Sequence, residues 1–190
     1  MPQWSRGEGK MVAHQKRIEI SKIQKILVMT TGGTIEKTYC EEDGLLANRT
    51  SAVERLILSK LRLPHTQVQV IPIMNKDSLD INDQDRLEIV RKIRENLHLN
   101  APILLIHGTD TLVKTAELCQ TQLGQLSIPL VFTGAMRPMG FEDTDAYQNV
   151  TEALMALKLL SPGVYISFHN QVFPIPGARK NRERRTFEFT

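Results

Sequence analysis

Short apolar runs separated by helix-length segments constrain this chain more than any other feature. Ile26-Leu27-Val28-Met29 stops at Thr30-Thr31-Gly32-Gly33, and the form recurs in Val68-Gln69-Val70-Ile71-Pro72-Ile73, Ile103-Leu104-Leu105-Ile106, Leu130-Val131-Phe132 and Val164-Tyr165-Ile166-Ser167-Phe168. A brief apolar run bounded by turn residues suits a strand covered on both faces. Between the runs, residues 51–63 place Val53, Leu56, Ile57 and Leu61 on one helical face. Residues 82–99 do the same with Leu87, Val90, Ile93 and Leu97, starting at the N-cap candidate Asn82-Asp83, and residues 111–123 and 145–160 complete the set. This alternation predicts the α/β class: a single doubly wound domain with a mostly parallel sheet flanked by helices on both faces.

A chain of 190 residues accommodates one such domain. The pattern begins at Lys25, so residues 1–24 are read as a flexible N-terminal extension and 25–190 as the domain. No apolar run approaches the ~20 residues of a membrane span. The extension lacks the apolar segment of a secretory signal, which leaves the cytoplasm as the expected location. Cys40 and Cys119 have no metal-ligand spacing and are too few for a disulfide framework. The net charge of +3 conceals an uneven distribution: residues 1–25 carry +4, residues 177–190 carry +3, and the stretch between them carries −4. A basic stripe with interleaved aromatics across the fold, which nucleic-acid binding calls for, is missing. Neither nucleic acid nor membrane is expected as a partner.

In open parallel sheets, functional groups collect beyond the carboxyl ends of the strands. The unusual polar residues of this chain follow that rule. Thr30-Thr31-Gly32-Gly33-Thr34, Asn75-Lys76-Asp77-Ser78, His107-Gly108-Thr109-Asp110-Thr111 and Thr133-Gly134-Ala135-Met136-Arg137-Pro138 each follow an apolar run, and the segment around Lys180 follows the last.

Paired glycines permit close backbone approach, so Thr31-Gly32-Gly33-Thr34 sets a hydroxyl at the tip of a turn beside N–H groups able to face an oxyanion. The alternative is a tight turn whose threonines bond local backbone. A phosphate loop is disfavoured, because neither G-x-G-x-x-G nor G-x-x-x-x-G-K-[ST] occurs. Thr109-Asp110 pairs a second hydroxyl with a carboxylate at a helix start, where either residue also suits capping. His107 reads as a hydrogen-bonded core histidine, and Arg137 as half of a structural ion pair. A threonine hydroxyl needs a proton acceptor, and no serine elbow with a histidine partner is evident. A lysine beside a carboxylate supplies a shared proton relay, and the sequence leaves open where its proton rests.

Ile26-Leu27-Val28-Met29-Thr30-Thr31-Gly32-Gly33-Thr34-Ile35 and Ile106-His107-Gly108-Thr109-Asp110-Thr111 resemble the two signature segments of bacterial-type L-asparaginases, and Val131-Phe132-Thr133-Gly134-Ala135-Met136-Arg137-Pro138 resembles the family's third strand and loop. The resemblance spans about residues 25–190 and implies an asparaginase N-terminal domain-like fold. It matches the nucleophile to Thr34, the second threonine and its aspartate to Thr109 and Asp110, the catalytic lysine to Lys180 and the substrate-carboxylate serine to Ser78. Gly33 and Gly108 are expected to line the substrate, with N–H groups near Gly33 and Thr109 facing the oxyanion. Asp110 is also expected to hold the substrate ammonium.

Three departures accompany the match. The family's smaller second domain has no counterpart, so the chain reads as a short form. Leu79 stands where relatives often carry a polar side chain that contacts substrate. The family's mobile-loop tyrosine has only Tyr39 as a candidate, in an acidic loop ending at Gly44 that is suited to act as a lid. The resemblance implies hydrolysis of L-asparagine to aspartate and ammonia by a homo-oligomer, dimer or tetramer, without metal or organic cofactor. The alternatives are an amino-acid-binding or regulatory module of the same fold, and an amidase subunit of a tRNA-amidating assembly.

Overall fold

The computed structural model describes residues 23–39, 46–48 and 53–190. Strand β1 (Gln24–Gly32) runs through the first apolar segment. A small antiparallel pair follows, β2 (Lys37–Tyr39) with β3 (Leu46–Asn48), and then helix α1 (Val53–Leu56). Strand β4 (Thr66–Lys76) is followed by α2 (Asp83–Asn96), β5 (Ile103–Ile106), α3 (Leu112–Leu123), β6 (Pro129–Thr133), α4 (Ala146–Leu159) and β7 (Gly163–Phe168). The last three elements are β8 (Gln171–Pro174), β9 (Ala178–Asn181) and β10 (Thr186–Phe189).

Six strands form one sheet in the order β4-β1-β5-β6-β7-β8. All neighbours are parallel except β8, which returns antiparallel to β7. The α/β, mostly parallel architecture expected from the alternation is therefore present. Successive side chains of a strand point to opposite faces, and the core divides accordingly. Leu27, Met29, Leu105 and Phe132 pack on one face with Ile89 and Ile93 of α2 and Leu112 and Ala116 of α3. Ile26, Val28, Leu104 and Val131 pack on the other with Val53 of α1 and Val150, Leu154 and Leu157 of α4. β4 lies at the sheet edge and is only partly buried, which explains the polar residues interrupting its apolar run.

Three expectations need correction. The helix read over residues 51–63 is confined to the four residues of α1 and a 3-10 turn at Leu58–Lys60, while residues 51–52 lie outside the described part. In α2 the buried face is Arg86, Ile89, Val90 and Ile93, and Leu87 is exposed; the helix packs one position around from the stripe read in the sequence. Its start agrees, because Asn82 accepts from Asp85 N while Asp85 accepts from Asn82 N, forming a capping box. Finally, Lys180 does not stand in a loop after the fifth run. β8 intervenes, and Lys180 lies within β9, paired with Phe187 of β10 in a separate two-stranded sheet.

Candidate active site

The loops after β1, β4, β5 and β6 meet with almost no space between their backbones. Gly32 and Gly33 hold φ of +93° and +83°, the region that favours glycine. A Cβ on Gly33 would stand 2.6 Å from Gly108 N and Cα, and one on Gly108 would stand 2.6 Å from Ser78 Cβ. The chain of contacts Gly33–Gly108–Ser78 therefore brings Thr34, Thr109 and Ser78 to one rim. Thr31 Oγ1 donates to Ile106 O (3.2 Å) and Thr111 Oγ1 to Ser78 O (2.7 Å), tying the β1 and β4 loops to the β5 loop.

Lys180 reaches this rim from β9. Its Nζ donates to Thr109 Oγ1 at 2.7 Å and to Asp110 Oδ1 at 3.1 Å, with the side chains of Lys180 and Asp110 only 16% and 24% exposed. The amine, hydroxyl and carboxylate named from the sequence thus share one cluster across 71 residues of chain. Thr109 and Ser78 are buried and Thr34 is partly buried. Neither Thr109 nor Asp110 caps α3: the N-cap is Thr111, without a side-chain cap bond. The N–H of Gly33 is engaged by Lys76 O at 2.9 Å, which removes it as an oxyanion donor. The Tyr39 side chain, Cys40 and the lid segment at residues 41–45 lie outside the described part.

Several participants escaped the sequence reading. Arg182 places Nη2 2.9 Å from the same Asp110 Oδ1 that Lys180 contacts. Asp145 accepts from the amides of Met136 and Arg137, each at 3.0 Å, and from Asn149 Nδ2 at 2.9 Å, which sets the shape of the loop after β6. His169 Nε2 lies 2.9 Å from Asp145 Oδ2, and its Nδ1 lies 3.0 Å from Thr186 Oγ1 on β10. This bridge ties the hairpin that carries Lys180 to the main sheet. Arg137 pairs with Asp143, the structural ion pair expected of it.

His107 is buried, with Nδ1 2.8 Å from Gly108 O and Nε2 3.0 Å from Thr115 Oγ1. Burial pushes its pKa down to about 4, against the opposing pull of the Gly108 carbonyl. The folded imidazole therefore stays neutral while the unfolded one takes a proton near its ordinary 6.5. Stability should fall as pH drops from about 6.5 to about 4, by roughly 1.4 kcal/mol per unit and about 3 kcal/mol in all. Asp85, held low chiefly by its Lys76 hydrogen bond, adds its own loss only near and below its ordinary 3.8. Denaturant unfolding between pH 7.5 and 5.5, above the ordinary 4.5 of the ion-paired Glu88 and Glu188, isolates the histidine: the parent should lose stability across this range, and His107→Gln should show a flatter profile.

The rim defines a class of protein: an α/β domain whose strand-end loops join two threonines, an aspartate and a lysine. Residues 25–190 match the family model of the asparaginase N-terminal domain, and the chain belongs to the asparaginase family. It is 32% identical over 149 residues to the L-asparaginase of Thermococcus kodakarensis, covering 78% of this chain and 45% of that one. It is 25% identical over 145 residues to one subunit of the glutamyl-tRNA(Gln) amidotransferase of Thermoplasma volcanium, covering 74% of this chain and 35% of that one. The fold superimposes on the thermostable L-asparaginase from Thermococcus kodakarensis with a TM-score of 0.80 at 28% identity, over 87% of this chain and 51% of the other. The chain thus spans about half the length of these relatives or less. Among the described residues, no helix is long and apolar enough to cross a membrane.

Proposed function

We propose that this chain carries the hydrolytic centre of an amidohydrolase that converts L-asparagine and water to L-aspartate and ammonia. The observation supporting it most directly is the convergence of Lys180 Nζ on Thr109 Oγ1 and Asp110 Oδ1. In this reading the Thr34 oxygen attacks the side-chain carboxamide carbon, and its proton passes to the leaving nitrogen, which departs as ammonia. Water, its proton taken by the Thr109–Lys180–Asp110 relay, then attacks the acyl carbon, releases the carboxylate and restores the Thr34 hydroxyl. Ser78 holds the substrate carboxylate and Asp110 meets the substrate ammonium. With Gly33 N–H engaged, the amides of Thr34 and Thr109 are the proposed oxyanion donors. Assembly into a homo-oligomer is part of this reading.

A second reading draws on the amidotransferase relatives and the arginine-rich segment around Arg179, Arg182, Arg184 and Arg185. It makes the chain an ammonia-generating component that acts beside tRNA. Ammonia release from L-asparagine and from L-glutamine decides the first reading: turnover of asparagine at least about tenfold above glutamine is the expected result. Tight amino-acid binding without ammonia release would mark a regulatory module instead. A salt-dependent shift of tRNA would favour the second reading.

A further inference from the structure

Arg182 pairs with the carboxylate that the proposed reading assigns to the substrate ammonium. Its Nη2 is 2.9 Å from Asp110 Oδ1, the oxygen that also receives Lys180 Nζ at 3.1 Å. One carboxylate therefore stands between two cations. The two differ in position: the Lys180 side chain is 16% exposed and that of Arg182 is 74% exposed, so the guanidinium covers the solvent side of the carboxylate. The turn that presents it is closed by Arg184 N donating to Asn181 Oδ1 at 2.9 Å, just beyond β9. On the same rim, Leu79 follows the buried Ser78, is 68% exposed, and has no side-chain group able to bond an ammonium.

We propose that Arg182 determines substrate specificity by occupying the ammonium position on Asp110. The pair then narrows the preference for L-asparagine over ω-amides bearing a carboxylate and no free α-ammonium, the class of succinamate and N-acylated asparagine. This rests on the amidohydrolase reading and refines its substrate class. The physical reason is competition. An incoming α-ammonium has to compete with a guanidinium for this carboxylate and meets the positive charge of both cations, whereas a carboxylate is attracted by them. The Arg182 pair is exposed, so displacement is feasible but unfavourable. Pairs of this kind contribute at most about 1 kcal/mol, which converts to about fivefold in affinity.

The test compares kcat/KM for L-asparagine and succinamate in the parent chain, Arg182→Gln and Arg182→Lys. Arg182→Gln should raise the asparagine-to-succinamate ratio about fivefold, mainly through a lower KM for asparagine. Arg182→Lys keeps a cation and should stay within about twofold of the parent. An unchanged ratio in Arg182→Gln overturns the proposal. If the parent hydrolyses neither amide, the amidohydrolase reading fails, and calorimetry with L-aspartate and succinate still addresses Arg182. A rise of about fivefold in the aspartate-to-succinate affinity ratio supports the proposal; an unchanged ratio, or no binding of either, overturns it.

Discussion

Thr34→Ala should release no ammonia above the uncatalysed background, a loss of at least about 10⁴-fold, while the chain folds as before. Thr34 is only partly buried, and losing its hydroxyl leaves no charge without a partner. Lys180→Met should act at a different step. In the proposed mechanism, removing the amine deprives the relay of its proton carrier, for which ~10²–10⁴-fold in kcat is expected, or roughly 3–5 kcal/mol of barrier. Asp110 is not abandoned by this change, because Arg182 remains 2.9 Å away. Stability should therefore change little, whereas loss of a sole partner from a buried charge would be costly. Ammonia assays beside thermal melts check both variants. Turnover near that of the parent in Thr34→Ala would remove the nucleophile from the account.

Gly33→Ala should be among the most damaging single methyls at the glycines of the rim. Its φ of +83° makes any side chain unfavourable, and the added Cβ would lie 2.6 Å from two backbone atoms of Gly108. Backbone strain and overpacking together cost roughly 2–6 kcal/mol. Gly124→Ala is the matched control. It has a similar sign of φ, +64°, but a Cβ there meets nothing within 4 Å. Only the conformational part applies at that site, roughly 1–3 kcal/mol. Denaturant unfolding of the two variants separates crowding from strain, and equal losses would show that the loops can give way where the geometry says they cannot.

The sheet was readable in the sequence because its interior strands are buried on both faces, so nothing polar interrupts Ile26–Met29 or Ile103–Ile106. The loops after β1, β5 and β6 were readable because each follows such a strand, whereas the Ser78 loop follows a half-buried edge strand and Lys180 lies within a strand of its own. What escaped depends on tertiary pairing. Ala178-Arg179-Lys180-Asn181 has no apolar alternation, and only Phe187 across the hairpin makes a strand of it. The return from β7 to β8 passes through His169 and Asn170 at φ of +46° and +62°. Two consecutive left-handed residues mark a tight hairpin, and asparagine in that pair was the available clue. Arg182 and His169 matter through partners 72 and 24 positions away, a relation invisible in local pattern. Leu87 misled because α2 shares its apolar residues between two adjacent stripes, and packing on the sheet selected Ile89 instead.

The β9–β10 hairpin bears on how the molecule comes into being. Its amine meets a hydroxyl 71 residues earlier in the chain, and it is seated through Phe187 against Phe168 and through Thr186 against His169. Contacts between such distant stretches carry the closure entropy of a long loop and form slowly. In the proposed mechanism, a molecule with its large sheet assembled and this hairpin unseated would lack its proton carrier. In that reading, a copy whose hairpin is unseated stays inert towards amides.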